Sequence, residues 1–193
     1  MAIQLFDTQG YRETTMEDIA NGVGLTAGAI YHHYRDKQAI LDAGVQLAGT
    51  QMLERAQRLV ADETAPTRLL GALIEDLVDA IFDDRALASV SRHLRALASD
   101  DVRLAVARTD RLLLAEWLHP YVVLHPGVSE AVALTMVQGA FGAAWSVTHT
   151  RSELEPSRLK DLLVRALRCL LLDESATQGR RGRTSDRAAL RSV

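Results

Sequence analysis

The sequence predicts an all-α protein, with a small N-terminal helix-turn-helix unit followed by a larger helical domain. Three observations predict it. Apolar residues recur three and four positions apart through most of the chain, which is helical periodicity. Strand-like patterning is confined to Tyr121-Val122-Val123-Leu124, bracketed by Pro120 and Pro126. The first 45 residues break into short segments punctuated by Gly10, Gly22 and Gly24, with Thr or Asp where helices would begin.

The elements follow in order. Residues 1–9 form one short amphipathic piece ended by Gly10. Thr14 and Thr15 open a second helix, with Thr15 and Asp18 at capping-box spacing and Asp standing in for Glu. Thr26 caps a third short helix ending near Tyr34, and Asp36 caps a fourth running from Lys37 to about Asp62. Further helices are expected over about 66–83, 85–99, 101–118, 127–149 and 156–174. No internal repeat is present. From Ser175 the chain turns polar and Arg-rich, so residues 176–193 are expected to form a disordered tail.

Composition narrows the function classes. With 48% hydrophobic residues among 193, the chain can bury a sizeable core. A single cysteine excludes an intramolecular disulfide framework and any multi-cysteine metal site. No apolar run approaches the roughly 20 residues of a membrane span, and nothing resembles a signal peptide, so a cytoplasmic protein is expected. The charge is near balance, with 22 basic and 25 acidic side chains, and residues 1–45 hold three basic against six acidic. Bulk charge therefore gives no hint of a nucleic-acid partner. Local pattern does: Leu25–Tyr34 contains no acidic residue although acids flank it on both sides, as suits a segment lying against phosphates.

In the helix-turn-helix reading, Thr15–Asn21 is the first helix, Gly22-Val23-Gly24-Leu25 the turn and Thr26–Tyr34 the recognition helix. Ile19, Ala20, Val23, Leu25 and Ile30 have the spacing to knit the pair together. The stretch Leu5-Phe6, Gly10-Tyr11, Thr14-Thr15-Met16-Glu17-Asp18-Ile19-Ala20, Gly24 through Tyr34 and Lys37 closely resembles the DNA-binding domain of the TetR family of bacterial transcriptional regulators. The resemblance covers about residues 2–47. It implies double-stranded DNA as partner and Thr15, Thr26, Ala27, Gly28, Tyr31, His32 and Lys37 as contact residues. Thr15 and Thr26 suit phosphates at helix N-termini, although capping alone accounts for both. Ala27 and Gly28 permit close approach to the groove, Tyr31 and His32 reach a phosphate or base edge, and Lys37 clamps a phosphate. Tyr34 takes the family's aromatic packing position. Family members usually have a longer first helix preceded by a basic arm. Here Met1 falls inside that helix, which implies a start upstream or a chain that binds DNA more weakly than its relatives; the alternative function is a helical ligand-binding dimer that has lost DNA binding.

The resemblance further implies that residues 1–45 are the DNA-binding domain and residues 46–175 a regulatory and dimerisation domain holding a small apolar effector. Candidate ligand contacts are Phe82, His93, Trp117, Tyr121, Met136, Trp145 and His149, each of which could equally be core. Val128–Val147 is apolar and rich in small residues, and Leu159, Leu162, Leu163, Ala166, Leu167, Leu170 and Leu171 form a helical stripe. A homodimer through about 127–174 is expected, and a twofold dimer reads a palindromic operator. Repression is the family's common mode. The tail around Arg180, Arg181 and Arg183 reads as solubilising before it reads as a DNA arm.

An enzyme is the rival class. Gly22-Val23-Gly24-Leu25-Thr26-Ala27-Gly28 has GxGxxxG spacing and no preceding strand, so it is not a dinucleotide fingerprint. Cys169 lies within a Leu-rich helix, and His119 and His125 flank prolines without partners in the pattern. No catalytic residue, cofactor or metal site is assigned; His32 and His33 are neighbours that face different ways on a helix.

Overall fold

The computed structural model of the chain describes residues 1–83, 94–148 and 152–173. These form α1 (Ala2–Thr8), α2 (Met16–Gly22), α3 (Ala27–His33), α4 (Lys37–Asp62), α5 (Pro66–Asp83), a single 3-10 turn (Leu94–Leu97), α6 (Asp100–Leu124), α7 (Glu130–Ser146) and α8 (Pro156–Leu172). No strand occurs among the described residues.

Local side-chain chemistry sets the early boundaries. The Thr15 hydroxyl accepts from the Asp18 amide at 3.1 Å, while the Asp18 carboxylate takes back the Thr15 amide at 2.9 Å, a reciprocal capping box. Thr26 caps α3 by accepting from the Ala29 amide, and Asp36 caps α4 through the Ala39 amide at 2.8 Å. Gly24 supplies the turn between α2 and α3 with φ +70°, a left-handed conformation that a side chain would strain.

Beyond α3, the long helices pack as a bundle. The 26-residue α4 lies along α6; α5 is covered by α4, α6 and α8; and α7 bridges α6 and α8. Leu70, Ile74 and Val78 on α5 are wholly buried, and Leu73 and Leu77 nearly so, making α5 the apolar axis of the bundle. Burial of each such side chain is worth about 1.5–3 kcal/mol. Arg55 of α4 grips the Asp76 carboxylate of α5 with contacts of 2.8–3.1 Å.

Four expectations change. The helix expected at 101–118 runs on to Leu124, absorbing both Pro120 and the strand-like Tyr121–Leu124. Pro120 removes one amide donor from the ladder, but its ring is buried and the bundle holds the helix together across it. Of the helix expected at 85–99, residues 84–93 lie outside the described residues and 94–97 make only a 3-10 turn. Val23 and Leu25 do not knit α2 to α3: they are 44% and 50% exposed, and Ile19, Ala20 and Ile30 carry that contact. Tyr34, expected to pack, stands 36% exposed. The expected tail, 176–193, lies outside the described residues.

Candidate functional site

The α3 helix turns Ile30 inward and leaves Gly28, Tyr31, His32 and His33 on an open face, with Tyr31 51% exposed. Ala27 is half-buried at its start. A Cβ at Gly28 would meet only the Thr26 Oγ1, at 3.9 Å. Nothing inside the chain therefore requires a glycine there, and the bare position leaves room for something outside it. The His32 and His33 rings meet edge-on at 5.4 Å.

The two capped N-termini are not equivalent. At α2 the Thr15 hydroxyl both accepts from the Asp18 amide and donates to the Asp18 carboxylate at 2.7 Å. These bonds from the Thr15 amide and hydroxyl hold the Asp18 carboxyl below its usual range, so the first turn of α2 carries carboxylates at Glu17 and Asp18. At α3 the first turn carries none. An anion approaching this surface is met favourably at Thr26 and repelled at Thr15.

Lys37 has another occupation. Its ammonium donates to the carbonyls of Tyr11, Arg12 and Thr14 at 2.8, 2.9 and 3.0 Å and sits over the Tyr11 ring. Three donors meet three acceptors, so the expected phosphate clamp is committed to ordering the loop between α1 and α2. Arg12 and Arg35, which the sequence reading passed over, are the exposed cations of this region, Arg35 being paired with Asp36.

Next to Lys37 on α4, Gln38 joins three segments. Its carbonyl accepts from the Tyr11 hydroxyl at 2.8 Å, and its amide donates to Asp42 at 2.9 Å and to the Leu97 carbonyl at 3.0 Å. Asp42 also accepts from the Ser99 amide at 2.9 Å. Hydrogen bonds from the Ser99 amide and the Gln38 side chain hold the Asp42 carboxyl low, against the opposing effect of its burial. The 3-10 turn is thereby tied to the base of the helix-turn-helix unit.

The same turn reaches a cavity. A space of about 340 Å³ lies between α4, α6 and α7, walled by Val45, Ala48, Met52, Val106, Leu113, Leu114, Phe141 and Trp145, with Arg95, Asp110 and Gln138 as its polar groups. Arg95, from the 3-10 turn, is ion-paired with Asp110 of α6. Of the residues expected to touch a ligand, Trp145 lines this cavity. Trp117 is buried behind it, tilted against Phe141 at 4.9 Å; Tyr121 is wholly buried; Phe82 and Met136 pack on the core elsewhere. His93 and His149 lie outside the described residues. Asp110 had a legible signal: one carboxylate within the apolar stripe Val106, Leu113, Leu114, Trp117. Arg95 had none, since a single 3-10 turn leaves no periodicity.

No described helix is long and apolar enough to cross a membrane, and no three His, Cys, Asp or Glu residues among those described could hold a metal ion.

The sequence profile of "Bacterial regulatory proteins, tetR family" matches residues 1–43, the segment that carries α1 to α3 and the Lys37 knot. Residues 1–43 thus match the N-terminal domain of this family. The chain is 28% identical over 131 residues to the HTH-type transcriptional repressor KstR2 of Rhodococcus jostii, an alignment covering 68% of this chain and 61% of that relative. The aligned part thus spans about three-fifths of the relative's length. Two solved structures share the family fold over most of their length. A TetR-family transcriptional regulator from Bordetella parapertussis superposes with a TM-score of 0.74 at 22% identity, covering 88% of this chain and 90% of that one. AibR, solved in complex with isovaleryl coenzyme A and operator DNA, superposes with a TM-score of 0.73 at 17% identity, covering 86% and 93%. At such identities these likenesses speak for the fold alone.

Proposed function

We propose that the chain is a dimeric, ligand-responsive repressor that occupies a palindromic operator through α3. Residues 1–45 act as the DNA-binding domain and residues 46–175 as the regulatory domain, working in the cytoplasm where the DNA is. The observation that carries this reading is the α3 surface: a Thr26-capped, carboxylate-free first turn with Gly28 bare and Tyr31 exposed. Thr26, Ala27, Gly28, Tyr31 and His32 make the groove contacts. Thr15 and Lys37 hold the unit in shape rather than bonding phosphates directly.

The effector enters the cavity between α4, α6 and α7. KstR2 relatives are repressors, which supports repression, and AibR shows that this fold can hold an acyl-coenzyme A together with operator DNA. Occupancy shifts the population toward a dimer whose recognition helices no longer match adjacent major grooves, which needs an effector that prefers that geometry. Dimerisation uses α7 and α8. Gly139 and Gly142 face open space, and Val132 and Leu162 are 43% and 47% exposed on the same pair of helices.

The test is sequencing of genomic DNA fragments retained by the purified protein at two salt concentrations. One palindromic motif, retained at low salt and lost at high salt, is the expected result. Retention without any shared motif would remove the sequence-specific regulator.

A further inference from the structure

We infer that the cavity takes an amphipathic anion, an apolar body carrying one carboxylate or comparable acid group, with Arg95 as its anchor. This rests on reading the cavity as the effector site and adds the effector's chemistry. Arg95 enters the lining with its side chain 37% exposed and commits one nitrogen, Nη2, to Asp110. Its Nε and Nη1 have no hydrogen-bond partner among the described residues. A guanidinium offers five donors in a planar fork, so a ligand acid can take the open edge while Asp110 keeps the other.

Among the described residues the lining holds one cation, Arg95, and one carboxylate, Asp110, paired with each other. An anion adds to that pair at the open edge of the guanidinium. A cationic ligand meets the reverse situation. It would have to share Asp110 with a guanidinium whose charge is permanent. Leu113, Phe141 and Trp145 supply apolar contact for the body of the molecule. The volume of about 340 Å³ suits a small one, at the lower end of the usual range for ligand sites.

The experiment titrates the full chain with decanoate, decanol and decyltrimethylammonium, each below its micelle concentration, following the emission of Trp145 and Trp117. Saturable binding of decanoate is expected, with the other two weaker by about tenfold or more. Arg95→Gln should abolish that preference, and Arg95→Lys should restore part of it. Arg95→Gln leaves Asp110 without its partner, so the double variant Arg95→Gln/Asp110→Asn is the folded control; it should still bind decanol and show no preference. Equal affinity for decanoate and decanol, or a preference that survives in Arg95→Gln, overturns the anion anchor while the cavity stands as a binding site. Tightest binding of decyltrimethylammonium overturns it too and moves the anchor to Asp110. No saturable response to any of the three overturns the inference together with the effector-site reading.

Discussion

Tyr31 and Lys37 both belong to the segment that matches the family, yet their surroundings assign them different work. Tyr31 is half out in solvent with no hydrogen bond among the described residues, so its removal should cost binding and leave folding alone. Tyr31→Ala is expected to weaken operator affinity by about tenfold in fluorescence anisotropy with an unchanged melting temperature. Lys37 spends its ammonium on three backbone carbonyls. Lys37→Met should lower the melting temperature by several degrees, since half-buried carbonyls lose a charged donor. Affinity should fall through misplacement of α2 and α3, while the slope of log affinity against log salt stays at the wild-type value. A shallower slope would return Lys37 to the phosphate backbone. Capping residues were the most legible part of the sequence because their chemistry spans three residues: Thr15, Thr26 and Asp36 all cap the helices that follow them. What Lys37 bonds was not legible. Its partners lie 23–26 residues away, and only the folded loop brings them into reach.

At the scale of elements, the entry to α5 and the 3-10 turn carry the testable consequences. Glu63 ends α4, accepts from the Ala65 amide and holds Arg68 at 2.7 Å. The Arg68 bond, with the Ala65 amide, lowers its carboxyl from 4.5 to about 2. A lowered folded-state value stabilises the fold above the unfolded value and gives that contribution up as pH falls. The window is therefore about 4.5 down to about 2. Glu63→Gln should melt lower than wild type above that window and approach it within the window, as followed by circular dichroism. Gln38 is the second case. It meets Tyr11 on one side and Leu97 on the other, with Asp42 between. Gln38→Ala should cost about 1 kcal/mol. Decanoate is expected to change amide hydrogen exchange around Tyr11–Thr14 in the wild type, and in Gln38→Ala binding should be kept while that change disappears. A change that persists in the variant would place the coupling on another route. Element lengths were legible where one amphipathic face runs without a break, as in α4 and α5. They failed at α6, where proline and a β-branched run argued locally for a stop. Packing against α4, α5 and α7 overrode both.

For the whole molecule, the proposed dimer turns on the outward faces of α7 and α8. The leucine stripe read from the sequence divides in the fold. Leu163, Leu167 and Leu171 are buried, whereas Leu162 and Ala166 are exposed, as are Gly139 and Gly142 of α7. A Gly139→Glu variant sets a charge on that face without a clash inside the chain, because a Cβ there meets nothing within 4 Å. It should sediment as a monomer, lose the concentration dependence of its melting temperature and bind operator far more weakly. Sedimentation as a dimer would put the interface elsewhere. Periodicity marked these helices as apolar, but which side of each stripe the bundle consumes depends on the orientation of α5, which no short window of sequence contains.

The junction at Gln38 bears on how this reader could be engineered. A DNA-binding head is portable when the cut at its base severs covalent chain alone. Here residues 1–45 would leave with Tyr11, Gln38 and Asp42 and abandon the Leu97 carbonyl and the Ser99 amide that complete their bonding. A chimera grafting this head onto a foreign sensor must therefore carry residues 94–99 as well, or supply a carbonyl and an amide in their places. Without them it keeps the α3 surface but loses the hydrogen bonds through which the proposed sensor would reach it.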